Sequence, residues 1–263
     1  GLFEAPYAEE TSAEKVTHNS EHVRLCGEAA RRSIVLLKNR DSTLPFDPDC
    51  IKRVAVIGPN AASPQHGTYS PLPFRGTSVL DGIRGRLDET AQVVYAEGCR
   101  ITEDRKVTVE REGEETASVT RTMLAAPEEN RERIREAVKT AAGADLIVLC
   151  VGGNEHTARE AFFFQDDDRG DRDSIDLAGE QNELVRALSE LGRPLVGVLS
   201  NGRPLGCETL HNHVSALLET WFPGECGGEA VAETLFGDNN PGGKLSVTVP
   251  RNAGQIPLVY NQK

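Results

Sequence analysis

The segment from Gly152 to Arg172 concentrates the residue types that do chemistry in this chain. Gly152-Gly153-Asn154-Glu155-His156-Thr157-Ala158-Arg159-Glu160-Ala161 is followed by Phe162, Phe163 and Phe164, then Gln165, three aspartates, Arg169 and Gly170-Asp171-Arg172. Glutamates, a histidine and arginines beside a run of aromatics exceed what solvating a loop requires, because exposed aromatics usually have a partner. A lone carboxylate serves as a general acid only when desolvation or a neighbouring anion raises its pKa. Glu160 stands beside the apolar Ala161 to Phe164, which would exclude water, and beside Arg159, which would lower its pKa if the two paired. Those influences oppose each other. The plainer reading is a charged flap whose Phe162 to Phe164 fold back as a small core. Asp171 and Arg172 read as an internal ion pair that pins the loop.

Other chemical patterns fail on their spacing. Asp238-Asn-Asn-Pro-Gly-Gly-Lys244 lacks the glycine and the hydroxyl that a phosphate loop needs at Asp238 and Leu245. His211-Asn212-His213 has no companion cysteine or carboxylate at zinc spacing and reads as surface polarity, so no metal is expected. Gly224-Glu-Cys-Gly-Gly228 opens a helix without the context of a dinucleotide fingerprint, and close backbone packing is its expected task. No cofactor is expected.

The elements that must position the Gly152 to Arg172 segment alternate. Apolar positions from Asn19 to Lys38 follow helical spacing, and Asn19 or Ser20 would cap that helix. Arg53 to Ile57 is a continuous apolar run ended by Gly58-Pro59-Asn60, the pattern of a strand buried on both faces. Helices are expected over Val79 to Leu87, Glu128 to Ala142, Gln181 to Leu191 and Gly228 to Phe236. Strands are expected over Gln92 to Ala96, Asp145 to Val151, Pro194 to Leu199 and Ala216 to Trp221. Lys244 to Val249 alternates and stops at Pro250, which suits an antiparallel edge strand. The charged stretch from Arg100 to Leu124 reads as a surface hairpin. The fold class is α/β: a three-layer α/β/α sandwich with a mainly parallel sheet and an antiparallel edge strand. In such sheets ligands gather beyond the carboxyl ends of the strands, where the segment after Val151 lies.

Composition bounds the partners. In 263 residues, 38% are hydrophobic and 27% charged, enough for a sizeable core, and the net charge of −12 argues against nucleic acid or an anionic membrane surface. No stretch approaches the roughly 18 apolar residues of a transmembrane helix. The scattered cysteines, Cys26, Cys50, Cys99, Cys150, Cys207 and Cys226, read as free, mostly buried thiols. The chain opens at Gly1 in mid-phrase with Met123 as its only methionine, so an excised piece of something longer is expected.

Taken in order, many phrases make the chain resemble the C-terminal α/β sandwich domain of family 3 glycoside hydrolases, the β-glucosidases and β-xylosidases. Gly1-Leu-Phe-Glu4 with Pro6-Tyr7 is similar to the segment leaving that family's catalytic barrel, and Ala30 with Ser33 to Asn39 to its linking helix. Val56-Ile-Gly-Pro-Asn60, Gly67-Thr-Tyr-Ser70, Tyr95 to Cys99, Gly170-Asp-Arg172 with Leu177 and Gln181, Trp221-Phe-Pro-Gly-Glu225, Leu235 to Asp238, Gly243-Lys-Leu245 and Tyr260-Asn261 continue the series. The resemblance implies retaining, exo-acting hydrolysis of terminal β-linked sugars, with an aspartate nucleophile in an N-terminal barrel absent from this chain. It implies that Glu160 is the acid/base, with Glu155 in reserve, and that Arg159, His156, Phe162 and Phe163 contact substrate. The expected partners are an oligosaccharide or β-glycoside and the barrel of the same polypeptide. Residues 1–18 and 251–263 are then linkers, the second towards a fibronectin-like domain, around a sandwich of residues 19–250. A β-xylosidase, or a noncatalytic carbohydrate-binding or scaffold domain, is the alternative. The Ala161 to Arg169 insertion departs from many members in length and in its Phe and Asp content.

Overall fold

The computed structural model describes residues 1–7, 10–67, 70, 75–87, 91–109, 117–158 and 172–259. In chain order the elements are α1 (Glu10–Val16), α2 (Ser20–Ser33), β1 (Val35–Asn39), β2 (Arg53–Ile57), α3 (Val79–Arg86), β3 (Gln92–Ala96), β4 (Thr102–Val109) and β5 (Ala117–Leu124). They continue with α4 (Pro127–Ala141), β6 (Leu146–Gly152), α5 (Glu155–Ala158), α6 (Gln181–Ser189), β7 (Leu195–Ser200), α7 (Glu208–His213), β8 (Ala216–Glu219) and α8 (Gly227–Phe236). No helix among the described residues is long and apolar enough to cross a membrane.

The main sheet has the order β1-β8-β7-β6-β2-β3, parallel throughout except for β1. Strand periodicity divides its side chains between two cores. Val54, Val56, Leu146, Val148, Val196, Val198 and Leu218 meet Ala30 of α2, Ile83 of α3 and Val231 and Leu235 of α8. The alternate residues Ala55, Ile57, Ile147, Leu149, Val151, Leu199 and Leu217 meet Ile134 of α4, Leu184 and Leu188 of α6 and Leu210 of α7. Helices therefore cover both faces, and the runs that read as doubly buried strands are so because each face has its own core.

Three features differ from the sequence pattern or extend it. The helix expected through Lys38 ends at Ser33, and Val35 to Asn39 is a strand paired antiparallel with β8. Its β-branched start and a register of hydrogen bonds supplied by a distant strand override local helical spacing. This is the antiparallel edge, whereas Lys244 to Val249 forms no strand; just before it, Gly242 makes an isolated antiparallel bridge with Val35. The charged stretch after β3 is a hairpin, with β4 and β5 paired from Thr102–Leu124 to Val109–Ala117.

Helix caps follow the sequence. Asn19 Oδ1 accepts from His22 N at 2.9 Å, and Ser78 Oγ accepts from Asp81 N at 3.1 Å. The crossing of α3 with α8 rests on small residues: a Cβ on Gly82 would stand 2.2 Å from Gly228 O, and one on Gly228 2.0 Å from Ser78 O. The close packing expected of Gly224 to Gly228 is thus present.

Candidate active-site edge

β2 is flanked by β3 and β6, and the path leaves it first to one side through α3 and later to the other through α4. This reversal places a topological switch between the carboxyl ends of β2 and β6, the usual ligand crevice of an open α/β sheet. Two glycines build it. A Cβ on Gly58 would stand 2.0 Å from Cys150 O, and one on Gly152 1.9 Å from Ser200 O, both at positive φ that L side chains rarely adopt.

Buried amides stitch the loops together there. Asn60 Nδ2 donates to Gly153 O at 3.1 Å and Ser200 O at 3.3 Å, joining the ends of β2, β6 and β7. Gln181 closes on Gly152 from both sides: its Oε1 accepts from Gly152 N at 2.8 Å and its Nε2 donates to Gly152 O at 2.9 Å. Asn154 and Thr157 bond reciprocally at 3.0 and 3.1 Å, which starts the single turn α5, and Asn154 Nδ2 donates to Thr102 Oγ1 at 2.7 Å. A polar cleft of about 530 Å³ opens beside them, walled by Asn60, Gln65, Glu97, Arg100, Glu103 and Asn154 among others.

The end of α5 is fixed by packing. A Cβ on Gly202, after β7, would stand 3.0 Å from Ala158 Cβ and 2.6 Å from the Phe222 ring. Phe222 also lies against Gly67, where a Cβ would stand 3.1 Å from the ring. Loops from β2, β6, β7 and β8 thus meet around Ala158, the residue before Arg159 and Glu160. Arg159, Glu160, Phe162 and Phe163 lie outside the described residues, as do Asp171 and Thr68-Tyr69. Glu155 is exposed on α5, and His156 Nε2 stands 3.2 Å from its Oε1. Buried His156 Nδ1 has no hydrogen-bond partner among the described residues. Arg172 donates to Asp176 O at 2.7 Å, and burial with the neighbouring Arg203 guanidinium pulls its pKa below the usual value.

One carboxylate had no role in the sequence pattern. Glu219 ends β8 at 2% exposure, and its Oε1 accepts from Trp221 N at 2.8 Å and from Asn201 Nδ2 at 3.1 Å. Burial pushes it up to about 7 against the pull of those donors and of Thr220 N. It holds the turn in which Trp221 takes φ 54°, directly before Phe222. A glutamate inside the apolar run Ala216-Leu-Leu-Glu219 is the sequence signal for it. No group of three His, Cys, Asp or Glu among the described residues could hold a metal ion. His211 and His213 are exposed, as their pattern suggested.

The sequence model of the glycosyl hydrolase family 3 C-terminal domain matches residues 34–263. Similar proteins include a β-xylosidase of Formosa agariphila, 37% identical over all of this chain and 33% of that protein. A periplasmic β-glucosidase of Salmonella typhimurium is 37% identical over 99% of this chain and 33% of its own. Among solved structures, a β-glucosidase from Erythrobacter marinus superposes with a TM-score of 0.89 at 44% identity, covering all of this chain and 34% of that one. A β-glucosidase from Listeria innocua in complex with isofagomine superposes with a TM-score of 0.76 at 29% identity, covering 99% of this chain and 32% of that one. The chain therefore spans about a third of the length of these relatives. With this match, and with the strand order and carboxyl-edge geometry described above, the chain belongs to the glycosyl hydrolase family 3 C-terminal domain family.

Proposed function

We propose that this chain is the sandwich part of a retaining, exo-acting β-glycosidase, β-glucosidase-like, that supplies the acid/base glutamate, Glu160, to a site completed by an aspartate nucleophile in an N-terminal barrel. Residues 1–18 then lead from that barrel and residues 251–263 leave the sandwich. The observation that supports the reading is the packing of Ala158, the residue before Arg159 in sequence, beside Gly202 and Phe222 at the carboxyl edge of the sheet. Glu160 would protonate the departing glycosidic oxygen and later deprotonate the water that hydrolyses the glycosyl-enzyme. Arg159 and His156 would orient it or meet substrate hydroxyls, and Phe162 and Phe163 would offer an apolar platform to the leaving group. Glu155, tied to His156, is the reserve for the acid/base role. A β-xylosidase of the same family is the second reading, favoured by the Formosa agariphila relative.

The test is hydrolysis of 4-nitrophenyl β-glucoside and β-xyloside by this chain alone and by the full-length polypeptide, with Glu160 intact or as Glu160→Gln. Activity is expected only at full length. The substitution should lower turnover of substrates with poor leaving groups by about 10²–10⁴-fold and spare activated ones more. Unchanged turnover would move the role to Glu155, and activity of the chain alone would refute a nucleophile outside it. The ratio of the two substrates' kcat/KM decides between glucose and xylose.

A further inference from the structure

All six cysteines are free thiols, and two of them approach each other where α2 meets the start of α8. Cys226 precedes α8, and its Sγ donates to Val23 O of α2 at 3.6 Å, one turn before Cys26. The approach is reciprocal: Cys226 Cβ stands 3.7 Å from where a Cβ on Gly27 would lie, and Cys26 Sγ 4.0 Å from where one on Gly224 would lie. Each cysteine thus packs on the residue next to, or two before, the other. Cys26 is half-buried and Cys226 is buried, while Cys50 is exposed and Cys99 and Cys150 are buried in the interior.

We propose that Cys26 and Cys226 form a reversible disulfide with a small-molecule disulfide such as oxidised glutathione, clamping α2 to the start of α8. In the first step the Cys26 thiolate attacks one sulfur of the oxidant, giving a mixed disulfide and releasing one glutathione thiolate. In the second the Cys226 thiolate attacks the Cys26 sulfur and releases the other. Two protons and two electrons leave the protein, and the oxidant ends as two thiols. Cys226 faces Cys26, Glu225 and Glu229; burial above all, then these neighbours, push its thiol up to about 11. Burial persists in the mixed disulfide, so the second step should speed up as pH rises and more of Cys226 becomes thiolate.

The bond would reach the candidate site through the turn after β8. Glu225 pairs with His18, and its carbonyl accepts from Thr77 N at 2.9 Å, so the Trp221 to Cys226 stretch is braced by both flanking segments. Clamping Cys226 to α2 removes motion from the turn that carries Phe222.

The experiment equilibrates the protein in glutathione buffers of graded potential, alkylates remaining thiols and maps peptides without reduction. The expected product is a Cys26–Cys226 linked peptide, with Cys99 and Cys150 alkylated only after unfolding. Oxidation should raise Tm on the order of 5 °C and slow hydrogen exchange over residues 221–226, and both effects should vanish in Cys26→Ser, which leaves the buried Cys226 in place. Glutathione retained separately on Cys26, or a pair still reduced when exposed Cys50 is fully modified, would overturn the proposal. So would linkage that leaves Tm and exchange of residues 221–226 unchanged.

Discussion

At the carboxyl edge of the sheet Gly152 brings β6 to within van der Waals contact of Ser200 O, and at the α3–α8 crossing Gly228 does the same against Ser78 O. The surroundings differ. Around the crossing lie Val79, Leu80, Ile83, Val231 and Leu235, all apolar and nearly inaccessible. Around the edge lie Asn60, Gln181, Asn201 and Glu219, polar and equally inaccessible. Burying an amide or carboxyl is unfavourable unless every bond is met, and Asn201 Oδ1 is buried with none among the described residues. The crossing is therefore built for stability alone, whereas the edge gives up stability to fix loop positions, which is the expected trade at a working site.

The largest effects should come from the two glycines. Gly228→Ala drives a Cβ into Ser78 O and Gly152→Ala drives one into Ser200 O at φ 143°. Each should cost about 3–5 kcal/mol or abolish folding, measured by urea unfolding. The comparison sharpens in what survives. Where enough folded protein remains, Gly228→Ala should keep the full-length kcat, while Gly152→Ala should lower it through the displaced α5. Equal loss of kcat in both would erase the distinction.

Next in size is the pH dependence that Glu219 imposes on the edge. Its folded pKa is raised from 4.5 to about 7 by burial, so its contribution to stability is fully present below about pH 4.5 and is lost as pH rises through about 7. The amount at stake is about 3 kcal/mol. Glu219→Gln cannot ionise, and its stability should change less with pH across that interval than the parent's. A parallel pair of stability–pH curves would show that Glu219 titrates normally. Among the described residues, no buried carboxylate of this kind lies in the apolar shell of the crossing.

How far these two regions were legible in the sequence follows from the range of the forces that make them. The strand Arg53 to Ile57 and the helix near Gly228 to Phe236 match their structural counterparts because apolar runs and a glycine stop are local signals. Val35 to Lys38 read as helix because apolar spacing there satisfies both periods, and only pairing with the distant β8 decides between them. The six-residue α7 is too short to carry a period and went unread. Glu219, at the end of an apolar run, was visible as an anomaly, but its role was not, because it depends on Asn201, brought to it by the fold. Glu155 and His156 were singled out, and the structure joins them to each other.

Smaller is the cost of one stitch at the edge. Asn60→Ala removes the two donations to Gly153 O and Ser200 O. Ser200 O keeps the bond from Gly153 N at 2.9 Å, so the loss should be about 1–3 kcal/mol rather than collapse. The same change should lower full-length kcat/KM, because the ends of β2 and β6 lose their tie. An Asn60→Ala variant with normal kinetics would make the amide a purely structural bond, like those in the crossing region.

The smallest effect should be on the rim of the crossing, where Arg86 of α3 pairs with Asp238 just after α8. Arg86 also lies 5.7 Å from the centroid of the Phe236 ring. Both charges are about a third or more exposed, so water and salt screen them, and Asp238→Asn should leave the urea midpoint nearly unchanged. Any difference should shrink further between low and high salt, since the Debye length falls from about 30 Å at 0.01 M to about 3 Å at 1 M. The guanidinium stays over Phe236 in this variant, so any loss read at high salt would have to come from packing. A loss as large as that of Asn60→Ala and insensitive to salt would mean that the rim shares the buried-polar logic of the carboxyl edge, and the contrast between the two regions would then fail at its apolar end.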